Sequence, residues 1–120
     1  MSKGATASGL IYKILPQTEW KAAQTLGEFP GSGIDLADGY IHFSTAGQAG
    51  ETARKYFAGQ AGLLVLHVGT QGLGPSLKWE PSRGGDLFPH LYRSLKLDEV
   101  RAVSEAPLDP DGLPQLGSLS

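Results

Sequence analysis

The chain of 120 residues contains no cysteine. That absence excludes disulfide staples, a thiolate nucleophile and thiol-ligated metal. Charge of either sign is also scarce: ten Lys and Arg stand against twelve Asp and Glu, a formal net charge of -2. Phosphate-backbone binding ordinarily needs a basic surplus, so nucleic acid is not expected as a partner. Long apolar runs are missing too. The longest, residues 63–66 (LLVL), falls far short of the roughly 20 residues that span a bilayer. The first eight residues are polar and rich in Gly, Ala and Ser, with no apolar signal core. No membrane partner is expected, and the cytoplasm is the expected location.

What is present fits one compact domain. A chain of this length buries roughly 60 to 70% of its unfolded surface, enough to fold without covalent help. The composition divides it into a flexible N-terminus over residues 1–8, one α+β domain over 9–106, and a tail over 107–120. That tail carries Pro, Gly and Asp with little to bury, so it is expected to be poorly ordered.

Residues 10–15 (LIYKIL) alternate and are rich in β-formers, predicting a first strand that Pro16 ends. Thr18 is the predicted N-cap of a helix through Leu26, with Gly27 after it. Residues 29–39 (FPGSGIDLADG) read as a loop closing on Asp38-Gly39. Residues 40–44 (YIHFS) read as a strand, with Ile41 and Phe43 toward the core and Tyr40, His42 and Ser44 on the other face. Thr45 with Gln48 is a capping-box pattern opening a helix through Phe57. Residues 63–68 form a buried strand, 77–80 a short one, 81–86 a mobile loop, 88–92 a stretch of strand character and 100–104 a last strand.

Chemically capable side chains gather in residues 40–45, 79–80 and 88–92. His42 and Ser44 share a strand face, about 7 Å apart at the backbone, so both can meet one ligand. The helix that follows directs its free N–H groups toward Ser44 and Thr45, an arrangement suited to phosphate or carboxylate. The plain alternative is that Ser44 and Thr45 only cap the helix. Of three histidines, His67 sits in an apolar strand and reads as structural, whereas His42 and His90 stand beside polar and aromatic neighbours suited to proton transfer. Glu80 beside Trp79 can have its pKa raised by desolvation against the indole. Arg83 can reach an anionic ligand from its loop, and Tyr92 shares a strand face with His90. Tyr12, Trp20 and Tyr56 read as packing residues, and Arg54 and Lys55 as a solvated helix face. No close-spaced ligand motif such as HExxH occurs, and no metal is expected.

Four ordered motifs carry a resemblance: IYKI at 11–14, DGYIHFST at 38–45, Trp79-Glu80, and FPHLY at 88–92. Together they resemble domain-of-unknown-function family 952 across about residues 11–103. The resemblance implies an α+β fold similar to the ADP-ribosyltransferase fold: small split mixed sheets, two or three short helices, and a central cleft that holds NAD in active relatives. His42 followed by Ser44 and Thr45 is similar to the His-Gly-Thr element that grips ribose and nicotinamide in one transferase class. By that likeness and the reading of the residues together, His42, Glu80 and His90 are the expected catalytic residues, and Ser44, Thr45, Trp79, Arg83 and Tyr92 the expected ligand contacts. Glu80 would steady an oxocarbenium ion, with Glu99 and Glu105 competing for the role, and NAD is the implied substrate.

Three function classes follow. One is an NAD-dependent ADP-ribosyltransferase-like enzyme. Another is a noncatalytic pocket for a nucleotide or anionic metabolite, or an interaction module. A two-histidine phosphoesterase is the third, weakened because neither His67 nor His90 is followed two residues later by Ser or Thr.

Overall fold

The structure, a computed structural model, describes residues 9–119, without the side chain of Arg83. The expected flexible segment 1–8 lies outside the described residues. Eleven elements follow in chain order: β1 (Leu10–Pro16), α1 (Gln17–Leu26), β2 (Glu28–Phe29), α2 (Gly33–Asp38), β3 (Ile41–His42), α3 (Ala46–Tyr56), β4 (Leu63–Gly69), β5 (Leu77–Ser82), β6 (Asp86–Leu91), β7 (Leu95–Lys96) and β8 (Val100–Glu105). Short 3-10 turns precede β5, β6 and β8.

The strands form three small sheets in the orders β1-β4-β8, β3-β6-β5 and β2-β7. Every pairing in them is antiparallel, so the expected mixed sheets are corrected to antiparallel ones. The two larger sheets meet at one residue pair, where Tyr12 N–H donates to the Ser44 carbonyl at 2.8 Å and Ser44 N–H returns to the Tyr12 carbonyl at 2.9 Å.

Alternation along β1 explains how one strand serves two cores. Ile11 and Leu15 enter a cluster with Phe29, Ile41, Phe43, Leu66, Val68, Leu91 and Leu95, whereas Tyr12 and Ile14 enter a second with Ala53, Leu63, Val65 and Ala106. Each fully buried Leu or Ile stabilises the fold by about 2 kcal/mol relative to exposure. Ile41 and Phe43 are both buried in the first cluster, as the period of two requires.

Several expectations need correction. Helix α1 begins two residues earlier, with Pro16 rather than Thr18 at the N-cap, because Pro fixes the entry backbone without a side-chain acceptor. Gly27 closes it in the left-handed conformation at φ 98°. The segment read as a loop at 29–39 contains α2, whose short S-x-x-D capping pattern is hidden among glycines. The mobile loop expected at 81–86 shrinks to a tight turn at Arg83–Gly85. Strand β5 continues through Pro81, which an edge strand accommodates because its missing N–H need not pair.

The tail differs as well. Asp109 accepts hydrogen bonds from the backbone of Asp111 and Leu113 and from the Gln115 side chain, each at 2.9 Å. Leu116 and Leu119 pack on the second cluster, so two leucines supply the apolar anchor that composition had averaged away. Among the described residues, no helix is long and apolar enough to cross a membrane.

Candidate functional site

Asp35 is the hub of the site, and it is only 1% exposed. As the third residue of α2 it turns back on its own helix start, accepting the Ser32 N–H at 2.8 Å. The same oxygen faces Lys13 Nζ at 2.8 Å, and the other accepts the His42 backbone N–H at 3.1 Å and contacts His42 Nδ1 at 2.6 Å. One carboxylate therefore ties β1, the start of α2 and β3 together. Burial alone would push its pKa up. The His42 hydrogen bond and the Lys13 charge outweigh burial and hold it at about 2. For Lys13 the balance reverses: burial pushes its ammonium down, although Asp35 and then Glu19 pull the other way. Glu19 also accepts a 2.6 Å hydrogen bond from the Ser32 hydroxyl.

His42 has a carboxylate at each ring nitrogen. Nε2 lies 3.0 Å from Asp38, one helical turn beyond Asp35 on the same face of α2. Both contacts are hydrogen bonds only when the imidazole carries both protons; with one proton, His42 keeps one of them.

A second histidine comes to its side through strand pairing. His42 on β3 stands opposite His90 on β6, and the rings lie 5.5 Å apart. Tyr40 stacks on His90 at 4.2 Å and sits 4.6 Å from His42 and 5.1 Å from Tyr92. Glu80 Oε1 faces His90 Nδ1 at 2.8 Å and accepts from the Tyr92 hydroxyl at 2.7 Å. An ionised carboxylate only accepts, so Nδ1 carries the proton and a neutral His90 keeps its lone pair on Nε2. The expected upward shift of Glu80 is corrected: hydrogen bonds from Tyr92 and then His90 lower it, and Trp79 points to the opposite strand face, packed against the first cluster. Glu80 in turn pushes the Tyr92 phenol up to about 12.

Lys13, Glu19, Ser32, Asp38, Tyr40, His42 and His90 border a cleft of about 510 Å³, with Asp35, Glu80 and Tyr92 outside its lining. One wall is Tyr12, Lys13 and Ile14 of β1 with Glu19 and Ser32; Asp38, Tyr40, His42, Ser44 and His90 form another; Thr52 and Tyr56 of α3, with Phe57 just after it, close it. Ser44 is buried and hydrogen-bonded to the Thr52 hydroxyl at 3.0 Å. Thr45 lies outside the lining and makes the capping box with Gln48, so the first turn of α3 is occupied by its own cap. The capping alternative accounts for Thr45, and the side of α3 rather than its N-terminus faces the cleft.

Of the residues singled out from sequence, His42, His90 and Ser44 line the cleft. Glu80 and Tyr92 stand behind His90, and Trp79 turns away. The Arg83 side chain lies outside the described residues. Glu99 is engaged by Arg93 at 2.8 and 2.9 Å, and Glu105 lies on the edge strand β8. His67 meets Ser104 at 2.9 Å and the edge of Tyr12, away from the cleft, and burial lowers its pKa. Among the described residues no group of three or more His, Asp or Glu is placed to hold a metal.

Sequence reasoning missed Lys13, Asp35, Asp38 and Tyr40 as site residues. Two signals were available: Lys13 is a lone charge inside an apolar strand, and S-x-x-D at 32–35 is a helix start.

A family model described as "Protein of unknown function (DUF952)" matches residues 14–103. Among solved structures, the crystal structure of protein CC0527 from Caulobacter crescentus is 57% identical, with 90% of this chain and 95% of that one covered and a TM-score of 0.88. The solution NMR structure of CC0527 is also 57% identical, covering 91% of this chain and 94% of that one at a TM-score of 0.82. Among curated proteins no sequence matches.

Proposed function

The chain belongs to the DUF952 family of proteins of unknown function, and from that premise we propose that its cleft binds a small nucleotide-type ligand, with NAD as the candidate substrate of an ADP-ribosyltransferase-like reaction. The observation that carries this reading is the convergence of His42, Tyr40 and His90 on one cleft, each histidine backed by a carboxylate. A volume of about 510 Å³ falls in the range of small-ligand sites. The resemblance of His42-Phe-Ser44 to a ribose-gripping element gives the ligand class.

In this reading His42, its orientation fixed by Asp35, exchanges its Nε2 contact with Asp38 for a sugar hydroxyl, and the Tyr40 ring offers a face for a planar base. Of the two carboxylates that line the cleft, Glu19 and Asp38, Asp38 is the one beside His42, and in this reading it, rather than Glu80, steadies positive charge developing at a ribosyl carbon. Glu80 acts through His90, whose Nε2 is available as a proton acceptor.

Binding without turnover is the second reading, favoured by the prior engagement of Asp38 with His42. Titration of NAD, ADP-ribose and nicotinamide against the wild-type protein, His42→Ala and Asp38→Asn, with an assay of nicotinamide release, separates the two. Asp38 is 43% exposed, so its substitution leaves the fold in place. Saturable binding lost in His42→Ala supports the nucleotide site. Release lost in Asp38→Asn with binding retained supports the transferase. Binding without release selects the second reading, and no binding of any of the three removes both.

A further inference from the structure

We propose that Lys13 is a carbonyl-capturing amine, forming an imine with a small aldehyde that enters the cleft. Lys13 is the one described lysine that is buried: its side chain is 7% exposed and borders the cleft, while Lys21, Lys55, Lys78 and Lys96 are all exposed to solvent. Lys13 lines the cleft from the edge strand β1 with its side chain largely withdrawn from bulk water, so a ligand in the cleft meets a desolvated amine. Desolvation of that kind makes an amine nucleophilic near neutrality, and the downward shift of Lys13 agrees with it.

The groups that face the amine are Asp35 of α2, at 2.8 Å, and Glu19 of α1, with His42 of β3 on the far oxygen of Asp35. Asp35 holds the nitrogen in place. The step balances without a redox partner. The ammonium first gives up one proton to solvent; the freed nitrogen lone pair then forms a C–N bond to the carbonyl carbon, and one N–H proton moves to the carbonyl oxygen. The carbinolamine then loses that oxygen as water together with a second N–H proton, leaving the imine.

The test uses the wild-type protein, with propionaldehyde and cyanoborohydride near neutral pH and peptide mass mapping of every lysine over time. Reductive alkylation at Lys13 is expected to run roughly tenfold or more faster than at Lys21, Lys55, Lys78 and Lys96. In Glu19→Gln, loss of a carboxylate that favours the charged amine is expected to accelerate labelling at Lys13 by about twofold or more. Labelling at Lys13 no faster than at the four exposed lysines overturns the proposal and leaves Lys13 as the counter-ion of Asp35. The measurement needs no nucleotide, so its outcome is independent of the NAD reading.

Discussion

Asp35 with His42 and Glu80 with His90 are the same hydrogen bond in two surroundings. The first carboxylate is 1% exposed and gathers donors from three elements; the second is 36% exposed by its side chain and holds only His90 and Tyr92, both on its own sheet and the residue next to it. The buried pair organises the fold around the cleft, whereas the outer pair tunes the side chains that stand behind it. Burial, not hydrogen-bond length, makes the difference, since an uncompensated charge in the interior has no water to fall back on.

The strongest way to break this comparison is to remove one member of the buried pair. Asp35→Ala strands Lys13 and two backbone donors, and is expected to lower the free energy of unfolding by about 3–5 kcal/mol in urea denaturation. Glu80→Ala should leave the urea midpoint nearly unchanged; an equal loss from both would erase the distinction. Gly31→Ala attacks the hub indirectly. Gly31 has φ 122°, and an added Cβ would come within 2.8 Å of Asp35 Cβ, so a cost of roughly 1–3 kcal/mol is expected in the same assay.

Acid gives a gentler test. The folded-state value of Asp35, about 2, is depressed below that of an unfolded aspartate, so its contribution is fully present above about pH 4. That contribution, on the order of 2–3 kcal/mol, is lost as pH falls from about 4 toward 2. Unfolding curves across that window should lose this component in Asp35→Asn, where no carboxylate remains to protonate. The smallest effect belongs to the outer pair and is spectroscopic. With Glu80→Gln the Tyr92 phenol should titrate lower than its value of about 12, closer to an ordinary tyrosine, in an absorbance titration of tyrosinate.

The outer pair was the more legible in sequence. Trp79-Glu80 and the stretch around His90 and Tyr92 stand out as motifs because strand alternation assigns their faces from local spacing alone. Asp35 is invisible to that logic, because its partners lie 22 residues earlier at Lys13 and 7 residues later at His42, and only the packed chain brings them together. Helix α2 is six residues long, too short for apolar periodicity to show among Gly31, Gly33 and Gly39. The helix start at Thr45, the closure at Gly27 and the core-facing Ile41 and Phe43 were readable, since each depends on neighbours within four positions. His42 was found by motif, but its pairing with His90 is a sheet register, which sequence spacing does not fix.

The seam between Tyr12 and Ser44 also bears on how the chain comes together in time. Strand β1 leaves the ribosome before either of its partners, which are Ser44 on one side and residues 63–69 on the other, so each rung closes over 32 positions at Tyr12–Ser44 and over 47 to 59 along β4. Contacts of such long range slow folding, because closure entropy is spent before any pairing rewards it. Until β4 emerges, β1 has bare edges, and the buried Lys13 at its centre places a charge in what would otherwise be an uninterrupted apolar strand. The same residue that sits against Asp35 in the finished molecule thus guards the nascent strand from pairing with a stranger.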